Sequence, residues 1–445
     1  MHWVRSGDPD YESTREVFNR DIDRRPEVIA RCGSADDVAQ AVAFGQQEGL
    51  AIAVRSGGHS VAGHSTNDGG LVVDVRPMDT VEVDQARASV RVGSGATWGQ
   101  IDAATQAHGL GMTGGRATTT GVAGFTLGGG DGWLARAFGL ACDNLTAVEL
   151  VTADGRQVRA SESEHPELFW ALHGGGGNFG VATSFEFRLY PLGPRVLAGL
   201  AVWPLSDRSV VTEVGRAYRD LMARAPAALG GGLIVVSDPD AEVVPAELAG
   251  ESLLGVVVCY AGDPGEGREV VADLLAREPA ANLVSVMPYT AFQESLTDPP
   301  GFRHYWSADY HDAFDDAAIE VFLSSGARRP TPLTQQVLFP WGGAIARVGE
   351  DATPLSRRST PWVTHPFAIW DDPADGPACR AWVRQFRQDI AEHTNGGVYL
   401  NYIGLEGEDR VRAAYGESTY ARLQAVKGEY DPGNVFRANQ NIRPG

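Results

Sequence analysis

Residues 111–132 read GMTGGRATTTGVAGFTLGGGDG, nine glycines set among apolar and small polar residues. Glycine loses more conformational freedom on folding than any other residue. A segment this rich in it becomes ordered only where the backbone needs a positive φ or an approach that a Cβ would block. The spacing is too irregular for a linker, and the apolar content is too high for disorder. Two shorter clusters accompany it, RSGGHS at 55–60 and GGGGNFG at 174–180. The first follows an apolar run and reads equally as a tight turn or as a loop whose N–H groups curl around a phosphate. The second matches GxGxxG at Gly175, Gly177 and Gly180. A dinucleotide site of that kind needs a strand before it and a helix after it. Here a helical ELFWALH precedes and an alternating VATSFEFRL follows, so the order is reversed and a nicotinamide-type Rossmann site is excluded.

The patterning around these clusters is mixed. Ser34 caps a helix with the stripe Val38, Ala41 and Val42, stopped at Gly49. LVVDV at 71–75 is a buried strand, and two strands flank a turn at Asp84–Ala88. Thr97 caps a helix running to His108, with Gly109 as its stop. Residues 181–189 alternate, with Val181, Thr183, Phe185, Phe187 and Leu189 on one face of a half-buried strand. Composition shifts near Pro191–Pro194. Beyond it, β-branched runs such as GLIVVSD and LLGVVVCYAG suggest a sheet covered by helices. A last helix ends at Asp431-Pro432. These are α+β signals in a 445-residue chain long enough for two or three domains.

The formal net charge is -20, a surface that repels nucleic-acid phosphates and anionic lipid at long range. Nucleic-acid and membrane partners are therefore not expected. The four cysteines are too scattered for a disulfide framework or a CxxC metal site, so no metal is expected. The first residues lack the apolar stretch of a signal peptide, which gives a cytoplasmic expectation.

Taken in order, several segments resemble one family. They are RSGGHSVAGHS (55–65), DGGLVVDV (68–75), TGVAGFTLGGGDGWLARAFGLACDNL (120–145), HGGGGNFGVATSFEFRLYP (173–191), YLNYIGLEGEDRVRAAYG (399–416) and YARLQAVKGEYDPGNVFRANQNI (420–442). The set is similar to the berberine-bridge-enzyme-like FAD-linked oxidases, within the vanillyl-alcohol-oxidase type flavoproteins. The resemblance implies a PCMH-type FAD-binding domain of two α+β subdomains, residues 1–192 completed by the tail 407–445. It implies a substrate domain at 193–406, an antiparallel sheet backed by helices.

The resemblance also implies covalent FAD, attached through His59 and, in a bicovalent subgroup, through Cys142. Neutral imidazole and thiolate are both good nucleophiles toward an electron-poor ring. Arg55, Ser56, Gly57, Gly58 and Ser60, with Ser65 nearby, would cradle the pyrophosphate. Gly114, Gly115, Thr119, Gly121, Gly124, Gly128 and Gly129 would line the ribityl and ring region. Val181 would contact the cofactor through its backbone, and Asn439 and Asn441 would reach the ring. His64, His108 and His173 read as structural.

For the substrate, a hydride would leave carbon for the flavin while a base removes a hydroxyl proton. By resemblance that base is Tyr402 of the Asn401-Tyr402 pair. Tyr399 would lie on the opposite face of the same strand or line the site itself. An oxygen-access position of the family, three residues after the cysteine, holds Leu145 where oxidases often carry Val. The acceptor is then O2, giving H2O2, or another acceptor in a dehydrogenase of the same fold. A flavin-bearing binding protein is the non-catalytic alternative. A carbohydrate, another alcohol or a secondary metabolite would suit as substrate. Tyr289, Phe292, Tyr305, Trp306, Phe339 and Trp341 would either stack on it or form core. Oligomeric state is not legible.

Overall fold

The Ser34 hydroxyl accepts the Asp37 N–H at 3.2 Å and starts the helix Ala35–Gln47. Gly49, at φ +67°, turns the chain out of it. The buried stripe Val38, Ala41 and Val42 packs on a four-stranded sheet in the same core cluster as Val28, Ile52 and Leu71. The strand order there is His2–Arg5, Val28–Arg31, Leu71–Asp74, Ile52–Arg55. The last three run parallel, so the chain leaving Ile52–Arg55 opens as a loop at their C-terminal ends. That edge is where open sheets with parallel strands commonly take ligands. The computed structural model describes residues 1–238, 244–297 and 300–445.

A five-stranded antiparallel sheet follows, in the order Val81–Asp84, Ser89–Gly93, Val181–Arg188, Leu145–Val151, Gln157–Ser161. Val181–Arg188 is its middle strand. Its alternation predicts one buried face, yet Ala182 and Ser184 are buried as well as Thr183 and Phe185. The sheet is covered on both sides at that end, which the period-2 pattern cannot reveal.

The third sheet has nine strands and is antiparallel throughout. Its main path runs Ala281–Asn282, Arg195–Pro204, Leu253–Tyr260, Leu229–Val236, Gln335–Pro340, Trp362–Trp370, Arg303–Trp306. Helices Arg208–Arg224, Pro264–Leu275, Asp316–Gly326 and Gly376–Asp389 bury Val214, Val271, Phe322 and Phe386 in one cluster with Leu233, Val235 and Val256. The alternate residues of those strands point the other way, toward the first two sheets.

Helices Glu408–Tyr415 and Glu417–Tyr430 bring the tail back to the first part of the chain. Lys427 and Asp431, both 0% exposed, form an ion pair of 2.6 Å there. The ammonium also donates to the carbonyls of Asn178 at 2.7 Å and Phe436 at 2.8 Å. Among the described residues, no helix is long and apolar enough to cross a membrane.

Candidate active site

The three glycine segments and the tail converge on one cavity of about 780 Å³. That is the size of a site for a cofactor together with a small molecule. Two of the glycines serve each other: a Cβ on Gly57 would lie 2.2 Å from the Gly121 nitrogen, and one on Gly121 would lie 2.1 Å from that of Gly57. This interlock sets His59 against the facing loop, its Nε2 2.9 Å from Thr119 Oγ1 and its Nδ1 3.4 Å from Thr120 Oγ1. Burial holds the imidazole down, to about 4, so it is neutral with a lone pair available near pH 7. Gly124 and Gly177 differ from the interlocked pair. Both line the cavity with nothing within 4 Å of a notional Cβ, so side chains there would enter the open space. Asn439 Oδ1 and His64 Nε2, on the same walls, are buried without a hydrogen-bond partner. Bare backbone, orphaned polar atoms and a neutral imidazole fit an FAD.

The expected residues divide. Ser56, Gly57, Gly58, His59, Ser60, Ser65, Gly115, Gly121, Gly124, Gly128 and Asn439 line the cavity, as does Tyr402. Thr119 reaches it through His59. The others stand behind. Arg55 is buried, and its guanidinium is taken by the carbonyls of Thr14 and Glu16. A Cβ on Gly114 would meet the Trp98 indole at 2.7 Å, and one on Gly129 would meet Leu355 at 2.9 Å and Tyr399 at 3.1 Å. Val181 and Leu145 are core residues. Asn441 Oδ1 is buried without a partner.

Cys142 packs against the loop that carries Gly128, its N–H donating to the Gly129 carbonyl at 2.9 Å. It is fully buried and lies 3.6 Å from Asp143 Oδ1, whose carboxylate is held by Arg358 at 2.8 and 2.9 Å. Burial pushes its thiol well above the ordinary range.

At the far end of the cavity, Tyr402 meets two residues that sequence reasoning missed. Its hydroxyl donates to Asp131 Oδ2 at 3.0 Å and accepts from Arg116. Arg116 also holds Asp131 at 3.1 Å and lies 3.6 Å over the Phe339 ring. Arg116 and Asp131 are the charged residues of the 111–132 segment, and charge inside a glycine cluster was the signal available. Burial pushes the Tyr402 phenol well up, with Arg116 opposing and Asp131 adding to the rise.

Tyr399 and Tyr402 do not lie on a strand. Residues Leu400–Tyr402 form a 3₁₀ turn, closed by Tyr402 N–H to Tyr399 O at 3.0 Å. Residues i and i+3 eclipse in such a turn. The two rings are therefore neighbours, 4.8 Å apart, instead of on opposite faces. The Tyr399 hydroxyl accepts the N–H groups of Gly130 at 2.6 Å and Asp131 at 3.0 Å, which fixes the loop that presents Asp131.

A stack of near-parallel rings joins the two ends. Phe18 lies 4.1 Å from His59 and 4.5 Å from His304. His304 leads to Phe367 at 5.7 Å, Phe367 to His365 at 5.3 Å, and His365 to Tyr402 at 4.3 Å. His304 and His365 had no sequence signal. Of the six aromatics named from sequence, Trp306 and Phe339 line the cavity, while Tyr289, Phe292 and Trp341 are core and Tyr305 packs beside Trp370.

Known proteins share these segments and this fold. The family pattern described as FAD binding domain matches residues 26–161, and that described as Berberine and berberine like matches residues 398–443. The (R)-6-hydroxynicotine oxidase of Paenarthrobacter nicotinovorans is 31% identical over 98% of this chain and 95% of its own length. An FAD-dependent monooxygenase of Fusarium proliferatum is 40% identical over 93% of this chain and 83% of its own. The crystal structure of 6-hydroxy-D-nicotine oxidase from Arthrobacter nicotinovorans superposes with a TM-score of 0.89 at 28% identity, covering 100% of this chain and 98% of that one.

Proposed function

Because this chain belongs to the berberine-bridge-enzyme-like family of FAD-linked oxidoreductases, we propose that it is an oxidase carrying FAD on bonds to His59 and Cys142. It takes a hydride from a carbinol or related C–H of a small molecule and passes the electrons to O2, giving H2O2. The observation that carries this reading is that one cavity holds both His59 and the Tyr402–Arg116–Asp131 cluster. The FAD-binding part comprises residues 1–192 with the tail 407–445, and the substrate part residues 193–406.

When bound, FAD supplies the two-electron acceptor. The chain supplies the rest. The loops at 56–60, 114–129 and 174–180 offer backbone N–H groups to its phosphates and bare walls to its body. We assign the cofactor two tethers, His59 on the cavity wall and Cys142 beside it, whose N–H is held by the Gly129 carbonyl next to the cavity-lining Gly128. At the other end, the substrate hydroxyl gives its proton to the Tyr402 oxygen as the Tyr402 proton moves to Asp131 Oδ2. This concerted path avoids a free phenolate, which burial disfavours. The Arg116 guanidinium, bonded to both groups, keeps the phenolic oxygen and the Asp131 carboxylate in place for that relay.

Two measurements test the reading. Flavin should remain with the acid-denatured protein and map to the peptides containing His59 and Cys142; flavin released into the supernatant sinks both tethers. Alcohols and amines are then screened for anaerobic bleaching, and air is admitted. Bleaching followed by one peroxide per flavin reoxidised is expected. Reduced flavin that persists in air would make the protein a dehydrogenase instead.

A further inference from the structure

The proposed function leaves the substrate class open, and the sheet wall of the cavity narrows it. Six strands of the nine-stranded sheet turn one face toward the cavity, and that face has two halves. On Trp362–Trp370 and Arg303–Trp306 it carries the rings of His365, Phe367, His304 and Trp306. On the next strands it is aliphatic, with Leu200, Ile234, Val236, Leu253, Val257 and Val337. These six are registered in cross-strand pairs: Leu200 with Val257, Val236 with Leu253, and Ile234 with Val337. Between them stands Gly255, over which Leu200 and Ile234 fold, 2.8 and 3.0 Å from a notional Cβ. The patch is therefore continuous. It also abuts the polar cluster, because Val337 is paired in turn with His365, which stacks on Tyr402 at 4.3 Å.

A sugar carries a hydroxyl on nearly every carbon and strips each of water against such a wall without returning a partner. An alkyl or fused-ring body loses nothing there and gains from burial. Ser237, Asp238 and Gln335 also reach the cavity beside the aliphatic strands. Ser237 accepts from Arg329, Asp238 accepts the Val244 N–H and Gln335 is engaged within the protein. The group that can orient a reacting end is therefore Arg116, Asp131 and Tyr402. We propose that the substrate is amphipathic: an apolar body seated on this aliphatic wall, with a single oxidisable hydroxyl or amine at Tyr402. The proposal rests on the oxidase reading only for which end of the molecule reacts.

The test is binding to the flavin-bearing holoprotein, read anaerobically as a perturbation of the flavin absorbance. The probes are the straight-chain primary alcohols from butanol to decanol, with glucose and xylobiose as polar controls. Affinity should rise about fourfold per added methylene, with no saturable signal from either sugar. Ile234→Asn should flatten that dependence, and so should Val236→Ser, at a half-buried position more tolerant of a polar group. Acid-stable flavin reports that each variant has folded. Saturable sugar binding with no chain-length dependence overturns the proposal, as does an unchanged dependence in a folded Ile234→Asn. Alcohols that bind with the expected dependence but never bleach the flavin would support the wall and refute the oxidase reading, so the two failures are distinguishable.

Discussion

Tyr402→Phe is the sharpest test of the chemistry, because the structure separates what the hydroxyl does from what the ring does. The ring stays: its stack on His365 at 4.3 Å and its edge contact with Tyr399 at 4.8 Å need no oxygen. What goes is the donation to Asp131 at 3.0 Å and the acceptance from Arg116. The two charges remain paired with each other at 3.1 Å, and Arg116 keeps its seat 3.6 Å over Phe339. No charge is left bare, so the stability cost is that of two hydrogen bonds at a cavity wall, about 1–3 kcal/mol. The rate cost is of another order. Losing a positioned base slows proton removal about 100- to 10,000-fold, or about 3–5 kcal/mol of barrier. The assay is stopped-flow reduction of the flavin under anaerobic conditions with the best compound from the screen, comparing limiting rates. Acid-stable flavin and an unchanged melting curve show that the variant is folded. A limiting rate near that of the unmodified protein would refute the argument and point to an amine that releases its hydride without a base.

The same geometry sets other outcomes. Cys142→Ala should keep acid-stable flavin on His59 alone, and the double variant His59→Ala/Cys142→Ala should lose it, as read by mass spectrometry of tryptic peptides. Leu145→Val, in the core and away from the cavity wall, should leave the reoxidation rate in air unchanged. Lys427→Met leaves Asp431 buried without its cation and two carbonyls without a donor, and should cost about 3–5 kcal/mol in a denaturant titration. Burial holds His304 and His365 to about 3 and His64 and His311 to about 4, below the ordinary 6.5, so unfolding takes up their protons and stability present above pH 6.5 is lost as the pH falls toward 4. Asp102, raised to about 8 by burial, opposes this by one proton. Together these five groups give about three protons near pH 5, a slope of about 4 kcal/mol per pH unit that thermal melts at pH 7, 6 and 5 would measure.

The two halves of the site differ in how far they were legible, and the reason is physical. A loop that holds a cofactor by its backbone must leave side chains out, and that requirement is written into composition. Gly57, Gly121, Gly124 and Gly177 stand out in the sequence by residue type alone. What composition does not say is what each glycine approaches. Gly57 and Gly121 approach each other, Gly114 approaches an indole, and Gly124 faces open space. The same limit applies to Cys142. Its motif resembles a flavin-linked one, but the motif does not say that the adjoining Asp143 carboxylate is held by Arg358, far along the chain.

The sheet wall left no comparable trace. Ile234 and Val337 read as ordinary apolar strand residues, and a strand covered by helices on one face and by a ligand on the other has the same pattern as one buried by protein on both. Only register distinguishes them, by setting Ile234 beside Val337 and Val337 beside His365. The Tyr399–Tyr402 turn shows the same dependence at short range. A strand would send the two phenols apart, with one available to substrate and the other to core. The 3₁₀ turn puts them together, so Tyr399 locks Gly130 and Asp131 by their N–H groups while Tyr402 takes the Asp131 carboxylate. The candidate base and the loop that carries its proton acceptor are thereby held by one turn. A change at Tyr399 should therefore disturb the chemistry through the position of Asp131, even though its own hydroxyl never faces the cavity.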